Sequence, residues 1–461
     1  MKKLLVLSLL LAFSLIVVRA AHAQADGPVY IVGEGDSYWA IANIFRVTIP
    51  DLQAANGFSE NHVINPGDRL VIPGYEGIHG VLASRTVGLG ETLETLALRT
   101  GVPADTLMQL NRLVNPRRLY AGQLLITVEP EEEAEIAPRW DTGRALTLPQ
   151  GTPLLALAAA EGINPWELAE VNGLSSAAEQ YTGQTILTVG GGRPLRVWPD
   201  PVTNVRFRSL PLIQGTTGEI LLTLEGDGMA EGMLGEATLN FREWEGQLVA
   251  LQGIHVLAKP QTYPFTLTVA SADGRTAHFS QDVLVASANY PVEPDLKVPP
   301  ETLDLNTIAA ESELVDSVVA PFSEERYWTG VFLKPATRAI SSYFGNHRSY
   351  NNGTYYYFHT GVDYYGLMKE PIFAPAKGRV AYTGPLIVCG NATVIDHGWG
   401  VYTRYCHQEA IQVQPGEMVD PGQTIGLIGA TGRADGSHLH FEVWVGGIQV
   451  NPLAWMREVY P

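Results

Sequence analysis

The sequence predicts a multidomain, mostly β chain: small repeated βααβ units, then an all-β sandwich, then a C-terminal domain of short strands carrying a histidine-rich site. Three observations lead there. A glycine and asparagine pattern recurs three times in the first 190 residues, several apolar runs bounded by turn residues follow, and six of the eleven histidines fall between His347 and His440. Length agrees, since about 440 residues after an N-terminal leader make three or more domains. The 47 glycines and 30 prolines favour many turns and short strands over long helices.

The leader is read first. Met1-Lys2-Lys3 is a basic start, Leu4 to Val18 is an apolar run, and Ala21-His22-Ala23 offers small residues for cleavage after Ala23. Residues 1–23 therefore read as a secretory signal peptide, the run being shorter than the roughly 20 residues a spanning helix needs. No cysteine follows the run, which argues against a lipid anchor, and no second run of membrane length appears. The mature chain is expected to be soluble and exported, with a periplasm and the cell exterior both open. A formal charge of −18 argues against nucleic acid as a partner.

In the repeats, Gly35-Asp36-Ser37, Asn56 and Pro66-Gly67-Asp68 recur as Gly90-Glu91-Thr92, Asn111 and Ala121-Gly122-Gln123. They recur more weakly as Gly151-Thr152-Pro153, Asn172 and Thr182-Gly183-Gln184. Each asparagine lies 21 residues after the first glycine, and the second glycine lies 32 after it. Each unit reads strand, helix, helix, strand. In the first, Val29 to Val32 is a strand and Asp36 or Ser37 caps a helix carrying Trp39, Ile41, Ala42 and Phe45. Ile49-Pro50-Asp51-Leu52 opens a second helix that stops at Asn56-Gly57, and Arg69 to Pro73 closes as a strand. The units span 28–74, 83–128 and 144–189, the third being degenerate. The acidic tract Glu129 to Glu135 reads as a solvated linker.

From 194 to 292, Ile220–Leu224, Ala237–Phe241, Gln247–Leu251, Tyr263–Val269 and Val283–Val285 alternate or run apolar between Gly, Asp and Pro turns. Five to seven strands in about a hundred residues predict an immunoglobulin-like sandwich with no chemistry of its own, a spacer. Residues 293–330 read as a linker, with a short helix over Ala309 to Val319.

The last domain, 331–461, contains His359-Thr-Gly-Val-Asp363, Tyr-Cys-His407 and Ser-His438-Leu-His440-Phe-Glu442. On an extended segment, residues two or four apart share a face, so His438 and His440 do, and so do His359 and Asp363 if that stretch is extended. Imidazole and carboxylate are zinc ligands, and a catalytic site keeps three of them with water in the fourth position. Histidine also titrates near working pH, which suits proton transfer. Glu442 is either a carboxylate that orients an imidazole or an ordinary strand charge. His397 and His347 read as structural.

These motifs resemble the lysostaphin-type (LytM-like) zinc endopeptidases that cut peptidoglycan peptides. The resemblance covers roughly Val331 to Met456, with further matches at Phe344-Gly345, Ala374 to Val380, Gly390-Asn391, Ile395 to Gly398 and Gly422 to Gly426. It implies a mostly antiparallel β-sheet domain with one zinc in an open groove, held by His359, Asp363 and His440. It makes His407 and His438 the catalytic pair that handles the attacking water and the tetrahedral intermediate, with their division of labour open. Gln408 stands where the family has leucine, and Met368-Lys369-Glu370-Pro371 replaces a shorter turn; neither is a ligand.

The repeats resemble LysM domains, which bind N-acetylglucosamine-containing glycans. That resemblance places glycan on Gly35, Asp36, Ser37 and about Asn61 to Ile64, and on Gly90, Glu91, Thr92 and about Val114 to Arg117. Several weak modules on one chain raise residence on a polymer. Cys389 and Cys406 flank a hairpin turning at His397-Gly-Trp-Gly400, and in an exported chain they are a candidate disulfide, two free thiols being the alternative. The resulting expectation is a secreted, wall-associated zinc metalloendopeptidase acting on peptidoglycan stem or cross-bridge peptides. The alternative is a catalytically silent peptidoglycan-binding regulator that activates another wall hydrolase.

Overall fold

The computed structural model describes residues 27–115, 119–129, 142–147, 153–161, 165, 168–169, 172, 185–189, 198, 201–353 and 357–461. The leader read at 1–23, the acidic tract beyond Glu129 and much of the third repeat lie outside them. Two compact units result, one drawn from 1–85, 93–117 and 124–139, the other from 86–92, 118–123 and 140–461. No helix among the described residues is long and apolar enough to cross a membrane.

In the first repeat, Val29–Ile31 pairs antiparallel with Arg69–Val71 and parallel with Val81–Thr86, the opening strand of the second repeat. Ser37 caps the helix Tyr38–Phe45, accepting from the Ala40 N–H, and Thr48 caps the helix Ile49–Ala55 through Asp51 N–H. Ile41, Phe45, Leu52, Leu70 and Ile72 form the core. Trp39, expected with the apolar face, is 71% exposed, because a residue two before Ile41 falls on the opposite side of a helix.

The recurrent asparagine has a backbone explanation. Asn56 Nδ2 donates to the carbonyls of Leu52 and Val71, both at 2.8 Å, and its Oδ1 accepts from Val71 N–H at 2.8 Å. Asn111 repeats this with Leu107 and Ile126, and Asn172 donates to Leu168 O at 2.7 Å. In the first two copies one side chain thus ties the end of the second helix to the closing strand. The acidic position has a similar role: Asp36 accepts from Gly33 N–H and Glu91 from Gly88 N–H, each at 2.7 Å. In the third copy, Thr142–Thr147 pairs antiparallel with Thr185–Val189, and Leu154, Ala158, Leu168, Ala169 and Ile186 are buried together.

Residues 202–286 form two sheets around one core. One contains Ala237–Asn240, Gly228–Leu234, Gln261–Ser271, Thr276–Ala286 and Leu212–Ile213; the other contains Arg242–Trp244, Gln247–Gly253, Thr217–Leu224 and Val202–Phe207. Phe207, Ile220 and Leu222 meet Phe265, Leu267, Phe279 and Val283 between them. The strands Val202–Phe207 and Gly228–Leu234 were not expected. The glycines of the second read as turn residues, and pairing with Gln261–Ser271 overrides them.

The C-terminal domain is built on an eight-stranded antiparallel sheet. Its order is Ile340–Ser342, Val362–Tyr365, His438–Val445, Val401–Cys406, Asn391–Gly398, Gly378–Pro385 and Met418–Val419, with Ile448–Val450 also pairing His438–Val445. Leu439, Phe441, Val443 and Val445 are fully buried in the core, so His438, His440, Glu442 and Trp444 face the other way. The helix expected over 309–319 runs Leu305–Val319, because Asp304 accepts from Thr307 N–H and caps it one turn earlier. Its Val315 and Val319 pack on Val394, Tyr402 and Trp444. Residues 293–330 are therefore more than a linker: this helix lies on the sheet.

Candidate metal centre

Strand register brings the site together. Asp363 lies directly across from His440, and Cys406 lies across from His440 on the other side, which delivers His407 at the strand's end. His359 precedes the first strand, held by its N–H to Asn346 O and its carbonyl to Gly345 N–H. Between His359 and Asp363 a Cβ on Gly361 would stand 2.2 Å from Phe441 O, so only glycine lets this segment pass so close to the neighbouring strand.

His359, Asp363 and His440 are all buried, and one ligand atom from each lies within 4.8 Å of the others. Hydrogen bonds decide which atoms these are. His359 Nδ1 donates to Tyr343 O at 2.8 Å, leaving Nε2 to meet Asp363 Oδ1 at 3.0 Å. His440 faces Glu442 Oε1 with Nε2 at 3.0 Å, leaving Nδ1 at 2.8 Å from the same Asp363 oxygen. A carbonyl and a carboxylate only accept, so each imidazole donates its rear N–H to them, and with a metal bound its inward nitrogen would present a lone pair. The donor set of two imidazoles and one carboxylate, each oriented from behind, fits zinc.

Two buried ion pairs hold the set. Arg348 donates to Asp363 Oδ2 at 2.6 Å and to Glu293 at 2.8 Å, so the carboxylate has one oxygen for the guanidinium and one for the cluster. Glu442 is fully buried and accepts from Arg404 at 2.6 Å and Trp444 Nε1 at 2.7 Å, with Thr360 Oγ1 also on it. Burial alone would raise the Asp363 carboxyl, but His359 and Arg348 hold it well below the usual carboxylate range. Burial likewise works against an ionised Glu442, and Arg404 and His440 overrule it, keeping it far below its ordinary value. Burial lowers both ligand imidazoles; in His440 hydrogen bonds to Asp363 and Glu442 reverse the sign, whereas in His359 burial prevails.

His407 and His438 stand beside this cluster, their ring centroids 4.7 Å apart, with His438 Nε2 3.9 Å from Asp363 Oδ1. Each donates Nδ1–H to a backbone carbonyl, His407 to Thr431 at 2.7 Å and His438 to Gly436 at 2.9 Å. In each ring Nδ1 is thus held by the backbone, and Nε2 is the nitrogen left for chemistry. Burial, then the neighbouring imidazoles, hold His407 well below its ordinary value, so its ring is neutral at working pH. His407 has φ +61, a left-handed conformation that a histidine adopts only where its surroundings impose it. Its N–H donates to Cys389 O at 2.7 Å, and Cys389 is bonded to Cys406 in a disulfide.

The groove over the site is lined by residues the sequence did not single out. They include Leu296, Val298 and Glu311 of the helix Leu305–Val319, whose carboxylate accepts from Val388 and Cys389 N–H. Arg348, Arg404 and Arg433 also line it. Of the two departures, Gln408 turns away from the groove, fully buried and donating to Thr393 Oγ1 at 2.9 Å. Glu370 caps its own turn through Leu367 N–H and pairs with Arg338. His397 is buried off the site between Lys377 O and Thr403 Oγ1, both at 2.8 Å.

The expected glycan loops differ from one another. Gly35 and Ser37 are exposed, and Tyr38 OH meets His62 Nδ1 at 2.9 Å, joining the first helix to the 61–64 loop. Gly90 and Glu91 are buried in the larger unit. Gly90 N–H donates to Gln281 Oε1 at 2.6 Å, Ala121 exchanges backbone hydrogen bonds with Asp282 and Leu284, and Leu89 joins the sandwich core.

Residues 357–452 match peptidase family M23, and residues 30–73 and 86–127 each match the LysM domain. DD-carboxypeptidase/endopeptidase Mpg of Neisseria meningitidis serogroup B is 41% identical over 96 residues, 21% of this chain and 22% of that protein. Peptidoglycan DD-endopeptidase ShyA of Vibrio cholerae serotype O1 is 41% identical over 95 residues, again 21% of this chain and 22% of that one. These alignments span about a fifth of those relatives' lengths. Lipoprotein NlpD of Yersinia enterocolitica is 38% identical over 97 residues, 21% of this chain and 99% of that sequence. The chain belongs to peptidase family M23, with two LysM domains ahead of its peptidase domain.

Proposed function

We propose that this protein is a secreted zinc metalloendopeptidase that hydrolyses peptide bonds in peptidoglycan stem or cross-bridge peptides and is held on the wall by its LysM repeats. The observation that carries the reading is the convergence of His359 Nε2, Asp363 Oδ1 and His440 Nδ1 beside two imidazoles whose Nδ1 atoms are held by backbone carbonyls. His359, Asp363 and His440 hold the metal. Zinc supplies a Lewis acid there and makes water a nucleophile near neutral pH. His407, neutral because it is buried, accepts the proton of the attacking water, and the carbonyl of Thr431 keeps its ring aimed. His438 stands where it stabilises the developing oxyanion or protonates the leaving amine. Arg348 and Glu442 keep the ligands oriented and add no proton traffic.

Around this core, residues 1–23 serve as signal peptide, 28–74 and 83–128 as glycan-binding repeats, and 144–189 as a degenerate third repeat. Residues 194–292 serve as an immunoglobulin-like spacer and 331–461 as the peptidase domain. Of the two glycan-binding repeats, the first has the exposed loop, at Gly35 and Ser37. A second reading, a silent regulator of another hydrolase, draws on Glu311, which lines the groove and accepts from the Val388 and Cys389 N–H groups.

Mass spectrometry of soluble fragments separates the two. Purified peptidoglycans of different cross-link types are digested by the mature protein, with His440→Ala as control. New fragments from the wild type alone establish the peptidase and identify the bond. No release from any wall, with zinc bound and wall binding intact, points to a latent enzyme or to the regulator.

A further inference from the structure

Of the three arginines lining the groove, two are neutralised. Arg348 pairs with Glu293 and Asp363, and Arg404 with Glu442. Arg433 shows no carboxylate partner among the described residues, and its Nη1 is buried without a hydrogen-bond acceptor. A buried guanidinium N–H without an acceptor is costly, so this one calls for a partner that supplies an acceptor. The planar fork fits a carboxylate best.

The arginine is also held still. Its N–H donates to Val388 O at 2.8 Å, and its guanidinium lies over the rings of Tyr350 and Tyr357, 4.9 and 5.8 Å from their centroids. The preceding Gly432 packs so closely that a Cβ there would lie 2.4 Å from Gly390 N. One residue earlier, Thr431 accepts from His407 Nδ1, and its hydroxyl accepts from Asn391 N–H at 3.0 Å. The loop that fixes the tautomer of His407 therefore also fixes Arg433, and the two keep a constant spacing.

We propose that Arg433 is a carboxylate anchor, so that the substrate is a peptide with a free carboxylate beside the bond to be cleaved. The proposal rests on the peptidase reading above. The carboxylate is either the C-terminal one, which makes the cleavage exopeptidic, or an acidic side chain, which makes it endopeptidic. The chemistry read by Arg433 is the same in both.

The test uses zinc-loaded mature protein and one stem peptide in four forms, with its terminal and side-chain carboxylates each free or amidated. Steady-state kinetics and calorimetric binding are measured for wild type, Arg433→Gln and Arg433→Lys, with zinc content as the check on folding. Amidating the carboxylate that is read should lower kcat/KM about 10–100-fold, mainly through KM. Arg433→Gln should give the same loss and no longer distinguish acid from amide; Arg433→Lys should recover part of it; zinc should stay at one per chain. Which amide matters distinguishes the terminal from the side-chain source. The anchor is overturned if Arg433→Gln slows all four forms equally, which leaves only a packing role on the two tyrosines. Cleavage of all four forms at one rate by wild type removes the anchor and keeps the peptidase. Carboxylate-dependent binding without any cleavage keeps the anchor and removes the peptidase. Neither binding nor cleavage removes both.

Discussion

In the peptidase domain, the residues that stand out by chemical type meet at one point. In the repeats, the residues that stand out by regular spacing hold the backbone together. His359 and Asp363 come from one short motif and His440 from a strand 77 residues beyond Asp363, and they share one buried centre. Asn56, Asn111 and Asp36 recur or align on schedule, yet their side chains bond main-chain groups of their own unit. The difference is instructive because both patterns look equally deliberate in the sequence. A recurrent polar residue at a helix end satisfies carbonyls and N–H groups that would otherwise be orphaned, which is reason enough to recur. Buried imidazoles around a carboxylate have no such local reason, and the energy of gathering them points to a ligand.

The largest effect that sharpens this contrast is at the cluster. His440→Ala should bring zinc from one per chain to near none and abolish wall hydrolysis, while Asn56→Ala changes neither. Metal analysis after dialysis reads it, and stoichiometric zinc in His440→Ala would break the ligand assignment. His407→Ala should keep zinc and lose about 10²–10⁴ in turnover, because it removes a base and no ligand.

A histidine of the same sheet tests whether chemical type alone marks a site. His397 lies off the groove, and burial pushes its ring down to about 4. The unfolded chain, near 6.5, takes up a proton that the folded chain refuses. This contribution is complete above pH 6.5 and disappears as pH falls toward 4, a loss of about 3 kcal/mol. His397→Gln should flatten the fall in melting temperature of the peptidase domain between pH 7 and 4, with zinc content unchanged. An equally steep fall in the variant would assign the acid sensitivity elsewhere.

Sequence made the motif face legible because strand alternation is local: His438, His440 and Glu442 share a face by spacing alone. The partners behind them were not legible. Arg404 reaches Glu442 only through the register of two strands, and Arg348 reaches Asp363 only because the chain turns back between them. The helix Leu305–Val319 read as part of a linker, since nothing local shows that Val315 and Val319 have Trp444 and Tyr402 to pack on. For the same reason, the second repeat looked like the equal of the first. Its loop is covered by residues nearly two hundred positions later, Gln281 to Leu284.

A smaller effect is expected at the asparagine clamp. Asn56→Ala strips one N–H and two carbonyls of their partner in a half-buried setting, which should cost the first repeat about 2 kcal/mol. Asn56→Asp keeps the acceptor for Val71 N–H but sets a carboxylate against two carbonyls, so it should be no better. Hydrogen exchange of Val71 N–H reads the loss directly, and unchanged protection would mean that the clamp contributes nothing.

The smallest effect decides between the two loops. Trp39 projects into solvent two residues after Ser37, whereas the position 55 residues later holds Glu94, half-buried in the second repeat. If glycan docks on the first repeat alone, Trp39→Ala should weaken pelleting with insoluble peptidoglycan about five-fold, the range for losing an aromatic contact at an interface. Glu94→Ala should leave pelleting unchanged. Equal losses would mean that the second groove opens in solution and that the hydrogen bond between Gly90 and Gln281 yields to glycan. In that case wall residence would follow from two sites acting together, and each single substitution would understate its site, because the remaining repeat still raises the local concentration of the other.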